Sequence, residues 1–102
     1  MLLILVGVSC SYKTTFARKY FKKKEIINQD EIRRKMFGSY FIQKEDQVYN
    51  IFYNFIDARL SVGLDTIVDT LNLEENRINK LVSIAKKYNQ EYLIFSFKKK
   101  IK

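Results

Sequence analysis

The sequence predicts an α/β fold in which a short parallel sheet of about four strands lies between flanking helices. Short apolar runs recur along the 102 residues, and segments with the apolar spacing of amphipathic helices separate them. The length suits a single domain, and an apolar content of 47% is enough for a packed core. Because strands that alternate with helices form parallel sheets, we expect one domain over residues 1–102.

The first strand is predicted from the apolar run at residues 2–6, which breaks at Gly7. A polar loop and Lys13-Thr14 follow, and a helical pattern begins at once. This order is typical of the phosphate-binding loop G-x-x-x-x-G-K-[ST], whose backbone N–H groups and helix N-terminus hold an anion. Gly7, Lys13 and Thr14 match the offsets of the pattern, whereas Tyr12 replaces its second glycine. The alternative is a buried strand followed by a polar turn and a basic helix.

This loop supplies the predicted nucleotide-binding residues. The lysine would add a mobile charge for the outer phosphates of ATP, and the Thr14 hydroxyl would bind Mg²⁺. Tyr12 weakens the match because a bulky side chain resists the positive φ angles that glycine accepts. The residues predicted to contact the nucleotide are Gly7, Ser9, Cys10, Ser11, Tyr12, Lys13, Thr14 and Thr15.

Between the loop and Gly38, the sequence predicts two helices with a strand between them. The helix after the loop runs over residues 14–24, with an aromatic stripe that is most simply core, formed by Phe16, Tyr20 and Phe21. Residues 25–28 form a short strand, and Asp30 caps a helix over residues 31–37 that Gly38 ends.

A long amphipathic helix over residues 43–62 comes next, and Gly63 fits as the residue past its end. Its apolar positions recur at spacings of three and four: Val48, Ile51, Phe52, Phe55, Ile56 and Leu60. Residues 64–70 form the third strand, a helix runs from about residue 73 to residue 88, and residues 92–97 form the fourth strand. Ile78, Leu81, Val82, Ile84 and Ala85 form the buried side of this last helix.

Polar groups end three of the predicted strands, and ligands of parallel sheets lie beyond the carboxyl ends of their strands. Asp69 is placed to act on the metal side of a nucleotide site, and Asp30 is placed to accept a proton as a general base. Arg33 follows three residues after Asp30 and would grip a phosphate or a substrate backbone in bidentate fashion. The alternatives are an acid that merely ends a strand for Asp69, a helix N-cap for Asp30 and a surface position for Arg33. For the neighbouring Arg34 we expect a surface position.

Composition excludes several classes of site and favours one class of partner. The chain has no histidine, which rules out histidine-based catalysis, and its one cysteine rules out an internal disulfide and disfavours a zinc site. The net charge of +8, much of it in lysine clusters, favours a polyanion such as nucleic acid. No apolar run is long enough to span a bilayer or has the flanks of a signal peptide, so we expect a cytoplasmic protein, encoded by a cell, a virus or a phage, without a membrane partner.

Three segments resemble the phage-type polynucleotide 5′-hydroxyl kinase family. The loop from Gly7 to Thr15 occupies the place of that family's ATP loop. Residues 27–33, Ile-Asn-Gln-Asp-Glu-Ile-Arg, look like its segment with the base aspartate and a substrate arginine. Residues 66–73 with Asn76-Arg77 look like its second aspartate strand and the helix that follows. The order of the motifs is shared with other small kinases of the AAA-like P-loop group.

The resemblance implies a P-loop kinase domain with a three-layer fold, in which Lys13 and Thr14 bind ATP and Mg²⁺. Asp30 would activate a 5′-hydroxyl at the end of a single-stranded nucleic acid, Arg33 would contact the substrate, and Asp69 would organise the metal or the basic groups. The chain ends after the fourth strand, so we expect the family's lid and last strand to be missing. Two other hypotheses stay open: a kinase for a nucleoside or small metabolite, and a non-catalytic pseudokinase that binds nucleotide or nucleic acid, which Tyr12 and the missing lid arginine would explain.

Overall fold

Four parallel strands form one sheet, and helices lie on both of its faces. The computed structural model describes residues 1–7, 13–38, 44–69 and 74–97, with the backbone alone at residues 13 and 14. In chain order its elements are β1 (Leu2–Val6), α1 (Lys13–Tyr20), a 3₁₀ turn (Lys23–Glu25), β2 (Ile26–Ile27), α2 (Gln29–Phe37), α3 (Glu45–Ser61), β3 (Thr66–Asp69), α4 (Glu75–Lys87) and β4 (Tyr92–Ser96). The predicted α/β class with four parallel strands is therefore confirmed.

The strand order β2-β3-β1-β4 puts β1 at the centre of the described sheet. Leu5 of β1 pairs with Asp69 of β3, and Ile27 of β2 pairs with Val68. On the other side, β1 pairs along its whole length with β4, from Leu2 with Tyr92 to Val6 with Ser96. Because all pairs are parallel, the carboxyl ends of the strands lie along one rim.

The two faces of the sheet differ in how thickly they are covered. On one face, Leu2 and Ile4 of β1 pack with buried residues of α3 and α4 in a large cluster. On the other face, Leu3 and Leu5 pack in a smaller cluster to which α1 contributes Ala17 and Phe16. Helices on both faces explain why β1 is apolar at successive positions rather than at alternate ones.

Helix α1 is shorter than predicted, since it ends at Tyr20 and residues 23–25 form a 3₁₀ turn. Continuation would put Arg18 and Lys22, and also Lys19 and Lys23, four residues apart on one helix, where like charges repel. The aromatic stripe is also only partly core. Phe16 and Phe21 pack against the smaller cluster, whereas Tyr20 is 61% exposed.

The long helix α3 buries a different stripe from the one predicted. Val48, Phe52, Ile56 and Leu60 are buried as expected, but Ile51 and Phe55 are exposed at 40% and 49%. Tyr49 and Tyr53 are buried in their place, because α4 packs over that side and brings Arg77 and Lys80 onto the two rings.

Glycines end two helices as predicted. Gly38 follows α2 with a φ of 70°, and Gly63 follows α3 with a φ of 77°. Both angles lie in the left-handed region, which a residue without a Cβ adopts at little cost. Among the described residues, no helix is both long enough and apolar enough to cross a membrane.

Candidate functional site

The candidate site lies at the rim where β1, β2 and β3 end. Gly7 follows β1, Asn28 follows β2, and Asp69 is the last residue of β3. Helix α1 begins at Lys13 and helix α2 at Gln29, so both start from this rim. The predicted convergence of three strand ends therefore holds for the backbone.

Asp69 is buried at this rim, with 2% of its surface exposed. Its pairing with Leu5 places it beside the end of β1, two residues before Gly7. Its main-chain oxygen accepts a hydrogen bond of 2.5 Å from Nδ2 of Asn28. This bond ties the end of β2 to the end of β3.

Asn28 also caps helix α2, which corrects the prediction that Asp30 is the cap. Oδ1 of Asn28 accepts hydrogen bonds from the backbone nitrogens of Asp30 at 2.8 Å and Glu31 at 3.2 Å. Asn28 has the extended backbone of an N-cap, with φ −129° and ψ 127°, whereas Asp30 lies inside the first helical turn. The Asp30 carboxylate is therefore not used in capping.

The Asp30 carboxylate instead pairs with Arg33, one turn later on α2. Nη1 of Arg33 lies 2.6 Å from Oδ1 of Asp30, and Nη2 lies 2.5 Å from Oε1 of Glu45 at the start of α3. Arg33 is only 6% exposed, so it is not the surface residue of the alternative interpretation, whereas Arg34 is exposed as expected. The predicted role of Arg33 as a substrate contact stays a prediction.

Glu45 is held in turn by residues of α2 and α3. Its Oε2 accepts a hydrogen bond of 2.9 Å from Nε2 of Gln29, whose Oε1 accepts one of 3.1 Å from the Tyr49 hydroxyl. Burial raises the pKa of Tyr49, which keeps the phenol protonated as a donor. The guanidinium of Arg77 on α4 covers the Tyr49 ring, with its carbon 3.4 Å from the ring centroid.

The predicted nucleotide-binding loop is described only at its two ends. Gly7 closes β1 and Thr15 is exposed in the first turn of α1. Ser9, Cys10, Ser11 and Tyr12 lie outside the described residues, and so do the side chains of Lys13 and Thr14. The assignments of these residues to ATP and Mg²⁺ therefore stay predictions.

The described acids of the rim suit an Mg²⁺ ion that is shared with substrate phosphates better than a metal ion held by protein ligands alone. Within the described ranges, no three Asp, Glu, Cys or His residues group as a metal site. Mg²⁺ is commonly held by one or two carboxylates together with substrate phosphates and water. A single buried acid at the end of β3, Asp69, fits that manner of binding.

A cavity of about 320 Å³ opens beside Asp69. Two cations, Arg18 and Lys23, and two acids, Glu31 and Asp69, line it together with Asn28 and Phe21. A larger groove of about 720 Å³ lies next to it along β2. Apolar side chains line much of the groove, among them Ile27, Ile32, Ile51 and Phe55. Four cations line it as well: Lys23, Lys24, Lys35 and Arg59. In the groove the cations outnumber the one acid, Glu31, so the groove suits a ligand that combines negative charge with apolar parts.

Four residues of this rim were not identified from the sequence: Asn28, Gln29, Glu45 and Tyr49. Asn28 had a recognisable signal, because an asparagine two residues before an acidic helical turn is a favoured cap. Glu45 lies 12 residues after Arg33 on another helix. No spacing rule within one element predicts such a contact.

Comparisons with known proteins agree with this geometry. A family model described as "AAA domain" matches residues 2–100. A chain of the Pnkp1/Rnl/Hen1 complex superposes with a TM-score of 0.78 at 26% identity, over 94% of this chain and 34% of that one. A second structure, described as the Pnkp1/Rnl/Hen1 RNA repair complex, matches equally well over 32% of its chain.

A candidate kinase from Chloroflexus aurantiacus has a TM-score of 0.73 at 15% identity, over 94% of this chain and 58% of its own. This chain thus spans about a third of the Pnkp1-complex chains and less than two thirds of the bacterial one. At 15% identity, the likeness to the candidate kinase shows the fold alone. Since the family model covers nearly the whole chain, the protein belongs to the AAA domain family and has a P-loop kinase-like domain.

Proposed function

We propose that this protein is a P-loop kinase that transfers the γ-phosphoryl group of ATP to the 5′-hydroxyl of a polynucleotide. The observation that carries the proposal is the hydrogen bond from Asn28 to the main chain of Asp69. It joins the strand end that leads to Asp30 with the strand end that carries Asp69. Both acids then lie on the rim from which the nucleotide-binding loop starts, as phosphoryl transfer requires.

Each residue of the rim has a role in this proposal. Lys13 and Thr14 would hold the phosphates of ATP and Mg²⁺, and Asp69 would complete the metal site; the nucleotide supplies the transferred group. Asp30 would accept the proton of the attacking hydroxyl, since its carboxylate is 41% exposed and is not used as a helix cap. The pairing with Arg33 orients this carboxylate.

The acceptor is proposed from charge and from likeness. The net charge of +8 and the cations that line the groove along β2 favour a polyanion over a neutral metabolite. The structural likeness to a chain of the Pnkp1/Rnl/Hen1 RNA repair complex, at 26% identity, favours a nucleic acid as the acceptor. We therefore propose the 5′ ends of single-stranded nucleic acid as the partner.

The test is transfer of label from γ-labelled ATP to a 5′-hydroxyl oligonucleotide with Mg²⁺. We expect transfer by the wild type, a loss of at least about a hundredfold in Asp30→Asn, and a larger loss in Lys13→Ala. Lys19→Ala is the matched control, because it removes an exposed lysine of the same helix and should leave the rate unchanged.

A panel of acceptors and a binding assay separate this proposal from the two alternatives. A metabolite kinase would phosphorylate a nucleoside as well as an oligonucleotide, with no dependence on length. A pseudokinase would bind oligonucleotide in a salt-sensitive way without turnover. Equal signals from the wild type and Lys13→Ala would end the proposal of kinase activity.

A further inference from the structure

We propose that Glu45 is a positioning residue of the candidate site, which holds the Arg33 guanidinium against Asp30. The inference rests on the proposed function, since it gives Glu45 a part in orienting the base of that reaction. Arg33 lies between two carboxylates, with one terminal nitrogen 2.6 Å from Asp30 and the other 2.5 Å from Glu45. We call this arrangement of Asp30, Arg33 and Glu45 the carboxylate clamp.

The pair on α2 alone would not fix the base. Asp30 and Arg33 are three residues apart on one helix, and such pairs are weak when both side chains can turn into solvent. Here the arginine cannot turn, because it is 6% exposed and its second terminal nitrogen is bound from α3. The bond to Glu45 therefore restricts the guanidinium to the orientation in which it faces Asp30.

Burial of the Arg33 guanidinium makes its orientation depend on both carboxylates. A buried guanidinium that loses one of its two carboxylates keeps donors without acceptors, which is costly. Nε of Arg33 already has no hydrogen-bond partner within the described part of the chain. Loss of Glu45 would leave Nη2 unpaired as well, so Arg33 would have to move toward solvent and take its contact with Asp30 along.

Glu45 is itself fixed by contacts that continue to α4. Gln29 donates to its second oxygen at 2.9 Å, Tyr49 donates to Gln29 at 3.1 Å, and Arg77 stacks on the Tyr49 ring. Both carboxylate oxygens of Glu45 are thus engaged by protein donors. This occupancy argues against a direct role as a base and for a role that acts through Arg33.

The first experiment measures kcat and KM for phosphoryl transfer in Glu45→Ala and Asp46→Ala. Asp46 is the matched control, because it is an exposed acid in the same first turn of α3. We expect Glu45→Ala to lower kcat by about 10-fold to 100-fold, as small displacements of a catalytic group do, with KM for ATP and oligonucleotide within about twofold. Asp46→Ala should behave as the wild type.

Rescue by a conservative change adds a second condition. Glu45→Gln keeps an oxygen that can accept from Nη2 of Arg33, so we expect its kcat within about threefold to fivefold of the wild type. A merely structural role would lower the stability of Glu45→Ala without this rescue of kcat. Equal kcat in Glu45→Ala and Asp46→Ala, or a rise in KM with kcat unchanged, would overturn the inference.

A second experiment detects the clamp without any turnover. Urea unfolding of Asp30→Ala, Glu45→Ala and the double variant forms a cycle, repeated in the background Arg33→Met. We expect the effects at positions 30 and 45 to be coupled by at least about threefold in the unfolding constant, and this coupling to be lost with Arg33→Met. Additive effects with Arg33 present would show that no clamp forms in solution and would also overturn the inference.

The two experiments keep this inference apart from the proposed function. An active wild type with an insensitive Glu45→Ala variant would overturn the positioning role and leave the kinase proposal standing. An inactive wild type would overturn the kinase proposal and the positioning role that rests on it, while the unfolding cycle would still decide whether the clamp exists.

Discussion

Strands β1 and β4 are neighbours with similar sequences and opposite surroundings. β1 reads Leu-Leu-Ile-Leu-Val and its first four residues are at most 6% exposed, whereas every residue of β4, Tyr-Leu-Ile-Phe-Ser, is exposed. They pair in register, so that Ile4 lies beside Ile94 and Leu3 beside Leu93. The difference teaches that an apolar run specifies a strand, while the place of the strand in the sheet sets its burial.

The cause is the coverage of the two strands. β1 lies between β3 and β4, with α3 and α4 above it and α1 below it. β4 forms the edge of the described sheet, and Phe16 of α1 reaches it only through a stacked contact with Phe95, with ring centroids 5.4 Å apart. Protein edges usually carry charge or are covered, whereas β4 has no charged side chain and all five of its residues are exposed.

Among alanine substitutions, the largest expected effect is a direct test of this contrast. Ile4→Ala should destabilise the protein by about 2–5 kcal/mol, since it removes fully buried methyl groups and leaves a cavity. Ile94→Ala, its partner in the register, should cost less than about 1 kcal/mol. Urea unfolding of the two variants beside the wild type measures both. Similar losses would mean that β4 is covered in solution.

The next effect on stability concerns the rim where β2 and β3 end, on the side of β1 away from β4. Asn28→Ala removes the cap of α2 and the bond to Asp69, and we expect a loss of about 1–3 kcal/mol. Asn79→Ala is the control, because Asn79 is an exposed asparagine of α4 and should have little effect. Thermal unfolding measures the loss. A value near zero for Asn28→Ala would mean that apolar packing alone holds β2 to β3.

A lysine substitution sharpens the contrast between the strands in another way. Leu93→Lys should change stability by less than about 1 kcal/mol and reduce self-association, because a charge on an edge strand blocks pairing with another chain. Leu3→Lys, at the paired position of β1, should prevent folding, because it buries an unpaired cation. Circular dichroism reports folding, and light scattering over a concentration series reports association. Unchanged light scattering in Leu93→Lys would show that β4 does not mediate self-association.

The smallest expected effect is a pH dependence of the free energy of unfolding, and it arises where α3 packs against α4. Asp57 accepts hydrogen bonds from Lys87 at 2.6 Å and from the Tyr88 hydroxyl, which lower the pKa of its carboxyl. A lowered pKa in the folded state contributes stability above the ordinary value near 3.8, and this contribution is lost as the pH falls through the folded value.

Asp57→Asn should therefore be slightly less stable than the wild type at neutral pH, with a difference that shrinks below about pH 4. Urea unfolding at pH 7 and at pH 3 measures it. Ser61→Ala provides an exposed control position on the same helix. A difference that grows toward acid pH would contradict the assignment of this pair.

Much of the fold followed from local patterns in the sequence. Apolar runs located all four strands, glycines located the ends of α2 and α3, and parallel order required that Gly7, Asn28 and Asp69 meet at one rim. The errors were local as well. Asp30 was taken for the cap because acids favour that position, but the extended backbone at Asn28 puts its side chain in reach of the free N–H groups.

The sequence by itself determined the kinds and order of the elements, because periodicity, capping and turn preferences act over a few residues. Tertiary structure alone decided the contacts between elements far apart along the chain. It buried Tyr49 rather than Phe55 on α3, exposed β4 beside the buried β1, and brought Glu45 to Arg33. Such outcomes depend on which surfaces remain uncovered when helices pack on a sheet, and that packing is a property of the whole molecule.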